Sequence, residues 1–297
     1  MNRPFVSVVI PTYNRAEDLQ RALQSVQTQT YTNWEVIVVD NHSTDNTDYI
    51  IEMLHDARIF LYKIRNNGII AASRNLGIQK ASGKLIALLD SDDWWTNEKL
   101  EKSVAAIESG ADLVYHDLWM VTAGKKTYRK VGSWPLMKPV YDSLLTTGNP
   151  VINSSVVVRK TILEKIGGIS ESPRLIAAED FDCWLRIALI TDRFTFLPDV
   201  LGYYWHGTGN TSNFQRSVTH LAALKEMYMK PYMDRYNTKM PAWFQYNYGR
   251  ALFKTGRYSE ASRLLTDLVK RATPMQIKIK SLIMLIIGIF TVKPGKL

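Results

Sequence analysis

Three carboxylates lie in the run Asp90-Ser91-Asp92-Asp93, directly after an apolar segment typical of a buried strand. Alternate side chains of an extended segment point the same way, so Asp90 and Asp92 can face one ligand. Paired hard oxygen ligands suit Mg²⁺ or Mn²⁺, which bind the phosphates of a diphosphate. An isolated D-x-D pattern is more often a loop or a helix cap. The metal-site interpretation therefore depends on its position at a strand end and on other polar groups that lie nearby.

Other polar groups follow apolar runs in the same way. Asp40 ends a second run and can accept a hydrogen bond from a base or a ribose, although a turn aspartate is the alternative. Asn67-Gly68 predicts a turn that allows close backbone approach. Arg74 follows it on a predicted helix, where it can reach phosphates or the acidic run, or form a surface ion pair.

Two further positions could take part in proton transfer or metal binding. Glu179-Asp180 opens a predicted helix, and a carboxylate placed there can accept a proton from an attacking hydroxyl. Acidic charge that favours a helix N-terminus is the alternative. His206 can bind a metal or a phosphate, or serve as a structural loop histidine.

The elements that must position these residues alternate between strands and helices. Apolar runs at Val6–Ile10, Glu35–Val39, Ile59–Lys63 and Leu85–Leu89 are separated by helical patterns, which predicts an α/β fold with a mostly parallel sheet and helices on both faces. Ligands of such sheets bind outside the carboxyl ends of the strands, where the polar groups above converge. From about Gln215 the pattern is all-helical, so we expect an α/β catalytic domain over residues 1–214 and a helical region over 215–297.

In this order and spacing the motifs resemble glycosyltransferase family 2, whose members have the GT-A fold. The resemblance covers Val6 to about Ser212. The motifs that carry it are Val8-Val9-Ile10-Pro11-Thr12-Tyr13-Asn14-Arg15, Val38-Val39-Asp40, Arg74-Asn75-Leu76-Gly77, Leu88-Leu89-Asp90-Ser91-Asp92-Asp93, and Glu179-Asp180 with Trp184-Leu185-Arg186.

The resemblance implies a role for each matching residue. Asp180 would be the catalytic base, with Glu179 nearer the acceptor. Asp92 and Asp90 would hold the metal, with His206 as a looser match. The implied nucleotide and donor site consists of Pro11, Thr12, Tyr13, Asn14, Asp40, Asn67, Arg74, Asp90 and Ser91. Side chains that could line the sugar and acceptor pockets are Trp94, Trp95, His116, Asp117, Asn149 and Asn153.

The resemblance also implies a reaction. We expect an inverting, Mn²⁺- or Mg²⁺-dependent transfer of a hexosyl or N-acetylhexosaminyl group from a nucleotide-diphosphate sugar, with a UDP-sugar favoured. The acceptor would be a glycan or a polyprenyl-diphosphate-linked glycan in O-antigen, capsule or exopolysaccharide biosynthesis. Processive synthases of the family carry a Q-x-x-R-W element and several membrane helices, and the sequence shows neither, so we expect single additions.

Charge and apolar residues are unevenly distributed. Residues 216–297 hold 15 of the 37 Lys and Arg but 4 of the 28 Asp and Glu. The apolar run 275–290 with flanking lysines predicts contact of residues 275–297 with an anionic membrane surface, or docking on the core or a partner subunit. Without a recognisable signal peptide or nucleic-acid motif, we expect a cytoplasmic protein, peripheral at the inner face of the membrane, with no nucleic-acid partner.

Two rival interpretations stay open at the level of sequence. A sugar nucleotidyltransferase also uses an α/β sheet and metal-binding carboxylates, but it typically carries a glycine-rich phosphate loop near its N-terminus. The turn Pro11–Asn14 contains no glycine. A catalytically silent homologue that acts as a scaffold is the second rival, and the presence of Asp92 and Asp180 argues against it.

The single cysteine, Cys183, excludes an intrachain disulfide and a cysteine-cluster zinc site.

Overall fold

The computed structural model describes residues 4–122, 125–207 and 213–291. The backbone forms two compact units. The first unit comprises the chain up to residue 141 together with 149–172 and 179–207, and the second comprises 142–148, 173–178 and the chain from 208 onward. The second unit thus includes two short segments that lie within the range 1–214.

A mixed sheet forms the centre of the first unit. Within the described residues its order is β3-β2-β1-β4-β8-β6-β9-β5, and β7 pairs with β6. The neighbours from β3 to β4 are parallel, whereas β8 runs antiparallel between β4 and β6. The strands are β1 (Val6–Thr12), β2 (Trp34–Asp40), β3 (Ile59–Lys63), β4 (Leu85–Leu88), β5 (Trp94–Trp95), β6 (Leu113–Thr122), β7 (Lys125–Val131), β8 (Val157–Arg159) and β9 (Phe194–Trp205).

Helices cover both faces of this sheet, which confirms the predicted α/β class. Val8 and Ile10 of β1 face a buried apolar core that also contains side chains of α1 (Ala16–Gln27) and α4 (Lys99–Glu108). On the opposite face Val9 contacts Gly77 of α3 (Ile70–Lys80), where an added Cβ would collide with the valine. The other helices of this unit are α2 (Thr47–Met53), α6 (Lys160–Lys165) and α7 (Glu179–Ala188), and α5 (Val140–Thr147) lies mostly in the second unit.

Two strands extend beyond the strand-like runs in their own sequences. These runs cover only 113–116 and 200–205, whereas β6 ends at Thr122 and β9 begins at Phe194. The two strands pair in parallel along this length, with register shifts around Asp117. Backbone hydrogen bonds to a neighbouring strand hold these residues in extended form, although their own pattern is not strand-like.

The second unit is helical. It contains α8 (Phe214–Leu224), a π-helical turn at Lys225–Met229, α9 (Lys230–Tyr236), α10 (Ala242–Lys254), α11 (Tyr258–Lys270) and α12 (Met275–Thr291). Its core centres on Leu265, Leu268 and Met284. Gly256 adopts φ +80° and so permits the tight turn that joins α10 to α11. Across the described residues, no helix is long and apolar enough to cross a membrane.

Candidate functional site

The carboxyl ends of β1 and β2 lie side by side, with Thr12 directly opposite Asp40. Asn14 connects the loop that follows β1 with the loop that follows β2. Its backbone N–H donates to Ser43 Oγ at 2.8 Å, and its Oδ1 accepts from Thr44 N–H at 2.8 Å. A left-handed backbone at Asn14, φ 50°, makes this turn possible. Pro11 and Thr12 are buried within β1, whereas Tyr13 is 55% exposed beside them.

The Asp40 carboxylate is fully buried and already has partners. One oxygen accepts from Ser43 Oγ at 2.5 Å, and both lie within 3.1 Å of the Ser43 backbone N–H. Lys63 Nζ lies 3.8 Å away. These contacts hold the loop after β2. The predicted contact of Asp40 with a base stays a prediction, and it would require Ser43 to move or the bonds to be shared.

A third loop joins the same edge of the sheet. Asn66 N–H donates to Asn41 Oδ1 at 2.9 Å, and Asn66 Oδ1 accepts from Gly68 N–H at 2.9 Å. Asn67 and Gly68 both have positive φ, 51° and 80°. The predicted turn is therefore present, and Asn66 is the residue that fixes it.

Arg74 is buried and bridges two acidic residues that are far apart in sequence. Its Nη2 donates to Asp90 Oδ1 at 2.7 Å, and its Nη1 donates to Glu179 Oε1 at 2.8 Å. Arg74 was predicted to reach either phosphates or the acidic run, and the structure shows the contact with the acidic run. The guanidinium thereby joins the end of β4 to the start of α7.

Asp92 lies against two arginines at and before the first turns of α1. Arg21 Nη2 donates to the Asp92 carbonyl at 3.0 Å, and the Arg15 guanidinium lies 3.5 Å from the Asp92 carboxylate. Burial, followed by the neighbouring charge of Asp90, raises the pKa of Asp92 to about 6. A carboxylate in this environment gains free energy when a cation neutralises it.

Asp93 anchors the acidic run to β9. Its Oδ1 accepts from the Trp205 backbone N–H at 2.8 Å. Burial and then the charges of Asp92 and Asp90 raise the pKa of Asp93 well above its usual range. His206 follows Trp205, but its side chain is exposed, and its backbone N–H donates to Val121.

The residues of the acidic run fit a divalent ion that is bound together with a diphosphate. Among the residues that the structure describes, no three His, Cys, Asp or Glu side chains form a metal-binding group, so His206 is not grouped with the aspartates as a third ligand. Magnesium-like ions are commonly held by one or two carboxylates, with substrate phosphates and water completing the shell. Asp92, with its raised pKa, and Asp90 supply such a partial set of hard oxygen ligands.

Asp180 is partly buried at the start of α7. Its Oδ2 accepts from Asn149 Nδ2 at 3.3 Å, and its Oδ1 accepts from the Phe181 N–H at 2.7 Å. Burial, followed by the charge of Glu179, raises the pKa of Asp180 to about 7. A carboxylate with this pKa can accept a proton near neutral pH and release it again.

The two tryptophans after the acidic run have different environments. Trp94 is stacked on Tyr203 with ring centroids 5.0 Å apart, and the Arg21 guanidinium lies 4.2 Å from the Trp94 ring centroid. Trp95 is 3% exposed, and its indole N–H donates to the Ser154 carbonyl at 2.7 Å. The structure does not support acceptor contact by Trp95, because pairing of β5 with β9 places this side chain in the core. Ser91 is also buried.

Of the four other predicted pocket residues, two are buried and two contact carboxylates of the site. His116 is fully buried, and burial followed by the charge of Lys99 lowers its pKa to about 3. Asp117 is buried and pairs with Lys130 at 3.0 Å. Both side chains are buried, whereas Asn149 and Asn153 donate to Asp180 and Asp90.

The sequence of the chain matches a known protein family. Residues 7–167 match the family described as Glycosyl transferase family 2. The chain belongs to this family. The protein is therefore a glycosyltransferase, as the motifs predicted.

Relatives and solved structures agree with this assignment. The glycosyltransferase is 30% identical over 188 residues to the UDP-Glc:alpha-D-GlcNAc-diphosphoundecaprenol beta-1,3-glucosyltransferase WfgD of Escherichia coli, which covers 63% of this chain and 71% of WfgD. The S. aureus TarS 1-349 structure with UDP-GlcNAc matches 92% of this chain and 82% of its own, with a TM-score of 0.61 at 19% identity. The mannosyltransferase PcManGT of Pyrobaculum calidifontis, in complex with GDP-Man and Mn2+, matches 98% and 82%, with a TM-score of 0.58 at 19% identity. The predicted GT-A fold is confirmed.

Several residues that hold this glycosyltransferase site together have no role in the motifs that predicted it. Arg21 of α1 and Arg15, the residue before α1, contact Asp92, Ser154 Oγ accepts from the Asp90 N–H at 3.1 Å, and Asn66 fixes the third loop. A signal was present for Arg21, since Asp18 and Arg21 are three residues apart and so lie on one helix face.

Proposed function

We propose that this glycosyltransferase moves a sugar from a nucleoside-diphosphate donor to a hydroxyl acceptor, with inversion at the anomeric carbon and with a divalent metal. The observation that carries the proposal is the bridge made by Arg74. It joins Glu179, the neighbour of Asp180, to Asp90 of the acidic run, and so connects a carboxylate suited to proton transfer with carboxylates suited to a metal-bound diphosphate.

The chemical step is a single displacement. The acceptor hydroxyl oxygen forms a bond to the anomeric carbon, its proton passes to Asp180, and the bond between that carbon and the β-phosphate oxygen breaks. The electron pair leaves with the nucleoside diphosphate. The pKa of Asp180, raised to about 7, gives the carboxylate more affinity for a proton than an ordinary aspartate has. Attack from the side opposite the leaving group inverts the centre.

Asp90 and Asp92 are the residues proposed to hold Mn²⁺ or Mg²⁺. When bound, such an ion supplies positive charge that stabilises the leaving diphosphate. The Asp92 and Asp90 side chains are each 27% exposed, so both are accessible to an ion from solvent. Asp90 is also held by Arg74 and Asn153. Pro11, Thr12, Tyr13, Asn14, Asp40 and Asn67 are proposed to frame the nucleotide at the neighbouring strand ends, and Glu179 and Trp94 to lie on the acceptor side.

Donor and acceptor are proposed from the relatives. WfgD is named for a UDP-Glc donor and a diphosphoundecaprenol-linked GlcNAc acceptor, and TarS was solved with UDP-GlcNAc. These names favour a UDP-sugar and a polyprenyl-diphosphate-linked glycan, in polysaccharide biosynthesis at the inner face of the membrane. PcManGT holds GDP-Man instead, so the donor test includes both bases.

The first test is donor-dependent thermal stabilisation. UDP-Glc, UDP-GlcNAc and GDP-Man are added to the wild-type protein and to Asp92→Asn, each with and without Mn²⁺. A ligand at about 100 times its Kd stabilises the folded state by about 2.7 kcal/mol. We expect one nucleotide class to raise the Tm in the presence of Mn²⁺, and we expect Asp92→Asn to lose that increase.

Asp199→Asn is the matched control, because Asp199 pairs with Lys102 at the surface and takes no part in the proposed site. Its response to donor should equal that of the wild type.

Transfer to a lipid-linked GlcNAc acceptor, followed by NMR assignment of the product anomer, tests the inversion. Retention of configuration, or stabilisation by donor that is the same without metal and in Asp92→Asn, would contradict the proposal.

We also propose that α12 contacts an anionic membrane surface. Met275, Ile279, Leu282, Ile283 and Ile286 are each between 45% and 68% exposed, and at 3.6 residues per turn they share one helix face. The opposite face packs on the core of the second unit through residues such as Met284. By the same geometry Lys278 and Lys280 lie on the two borders of the exposed face, an arrangement that favours the interface of an anionic bilayer.

Sedimentation with lipid vesicles tests this contact. We expect binding to vesicles that contain phosphatidylglycerol and weaker binding to phosphatidylcholine alone, and we expect Ile279→Glu with Ile283→Glu to abolish both. Met227→Glu changes an exposed apolar residue outside α12 and should bind as the wild type does. Equal sedimentation of all three proteins would show that α12 is not the contact.

A further inference from the structure

The segment 149–155 runs between the proposed base and the acidic run. A side-chain amide of this segment donates a hydrogen bond to each of them. Asn149 Nδ2 lies 3.3 Å from Asp180 Oδ2, and Asn153 Nδ2 lies 3.1 Å from Asp90 Oδ1. Ser154 Oγ accepts from the Asp90 backbone N–H at 3.1 Å. One short stretch of chain therefore contacts both carboxylate groups on which the proposed reaction depends.

Two buried indoles hold the backbone of this segment. Trp184 Nε1 donates to the Val151 carbonyl at 3.0 Å, and Trp95 Nε1 donates to the Ser154 carbonyl at 2.7 Å. Both tryptophan side chains are almost completely buried. A segment that is fixed from behind by core side chains can hold its own side chains in one place, as a precise active site requires.

The side chain of Asn149 is fixed as well. Its Oδ1 accepts from the Val151 backbone N–H at 3.0 Å, so the NH₂ group is the end that faces Asp180. An amide is a neutral donor. It stabilises the ionised carboxylate through a hydrogen bond but adds no positive charge, so the carboxylate keeps its ability to accept a proton.

We propose that Asn149 is a positioning residue for Asp180, which orients the carboxylate toward the acceptor hydroxyl and stabilises its ionised form. The inference rests on the proposed function, in which Asp180 is the base. It adds that the segment 149–155 sets the geometry of the base. Asn149 thus acts through Asp180 and is not itself the proton acceptor.

Several charged or titratable groups face Asp180 and must be considered in any pH test. Glu179 and Cys183 belong to the same helix, Arg74 approaches from α3, Asp90 from the end of β4, and Tyr204 from β9. Burial and the charge of Glu179 raise the pKa of Asp180, whereas the Arg74 charge lowers it. The Asn149 donor works in the same direction as Arg74.

The test is the pH profile of kcat/KM for Asn149→Ala and for the isosteric Asn149→Asp. Loss of the donor disfavours ionised Asp180, so the acid limb should move to higher pH, by about 0.5 to 1 unit in Asn149→Ala. Asn149→Asp places a second carboxyl group beside Asp180 and should move the limb further in the same direction. We expect kcat at pH 7 to fall several-fold and the donor KM to change little.

Asn153→Ala is the matched control from the same segment. It removes a donor to Asp90, so it should weaken Mn²⁺-dependent donor binding, measured by thermal shift, and leave the acid limb of the pH profile in place. Asp180→Asn separates the two levels of inference. If Asp180→Asn keeps its activity, the proposed base is wrong. If Asp180→Asn is inactive but both Asn149 variants keep the wild-type acid limb, Asp180 remains the base and the positioning role of Asn149 is overturned.

Discussion

Two aspartates at the same edge of the sheet have opposite environments. Asp40 is fully buried, and its two oxygens accept from the Ser43 backbone and hydroxyl groups. Asp180 is partly exposed, faces Glu179, and has a pKa that burial and that neighbour raise to about 7. A carboxylate whose hydrogen-bonding capacity is used within its own loop stabilises the fold. A carboxylate in an unfavourable environment keeps an affinity for protons that a reaction can use.

The largest expected effect tests the reactive side of this comparison. Asp180→Asn removes the proposed proton acceptor and keeps the shape, so kcat/KM should fall about a thousandfold. The amide oxygen of the asparagine can replace only one of the two carboxylate oxygens that accept from Asn149 Nδ2 and the Phe181 N–H. The wild-type kcat/KM should rise with pH through about 7, because the ionised form of Asp180 is the proposed base. Steady-state assays from pH 5.5 to 9 measure both quantities. A Ser43→Ala variant that lost as much activity would remove the distinction between the two aspartates.

Arg74 gives the largest expected effect on stability. Its guanidinium is 5% exposed and pairs with Asp90 and Glu179, so Arg74→Met leaves two carboxylates near each other without their cation. Removal of one partner from a buried ion pair costs about 3–5 kcal/mol. We expect a loss of this size in urea unfolding at pH 8.

Arg257→Met is the control for Arg74, because Arg257 pairs with Glu260 at the surface of α11. An ion pair that is exposed to solvent contributes little to stability, so Arg257→Met should lose much less than Arg74→Met. Equal losses in the two variants would show that the Arg74 bridge adds nothing beyond an ordinary surface contact.

A smaller effect of opposite sign is expected for the stability of Asp180→Asn. The folded-state pKa of Asp180 is raised to about 7, so the contribution of Asp180 to wild-type stability is fully present below its unfolded pKa and is lost as the pH rises through about 7. Asparagine stays neutral and avoids this loss. We expect the variant to be more stable than the wild type by about 1–2 kcal/mol at pH 8 and equally stable at pH 4. Urea unfolding at both values measures the difference, and a less stable variant at pH 8 would contradict the environment assigned to Asp180.

Sequence patterns predicted the positions of those site residues that lie at the ends of strands. Thr12, Asp40 and Asp90 could be brought to one edge because the carboxyl ends of parallel strands lie together. The contact between Asn149 and Asp180 joins residues 31 positions apart, and no local period connects them. The pairing of the two-residue strand β5 likewise gives no sequence signal, so the burial of Trp95 required the structure.

The smallest expected effect tests the structural side of the comparison. Ser43→Ala removes the hydroxyl that donates to Asp40 and accepts from the Asn14 N–H, but the Ser43 backbone N–H still donates to the carboxylate. We expect a loss of about 1 kcal/mol in the free energy of unfolding. We also expect kcat/KM within about threefold of the wild type, since about 0.7 kcal/mol separates rates by that factor. Ser109→Ala, at the exposed end of α4, is the control and should lose less stability. If Ser43→Ala instead keeps full stability and loses donor affinity by thermal shift, then the hydroxyl serves the nucleotide directly, and the loop after β2 contributes to donor binding more than to the stability of the fold.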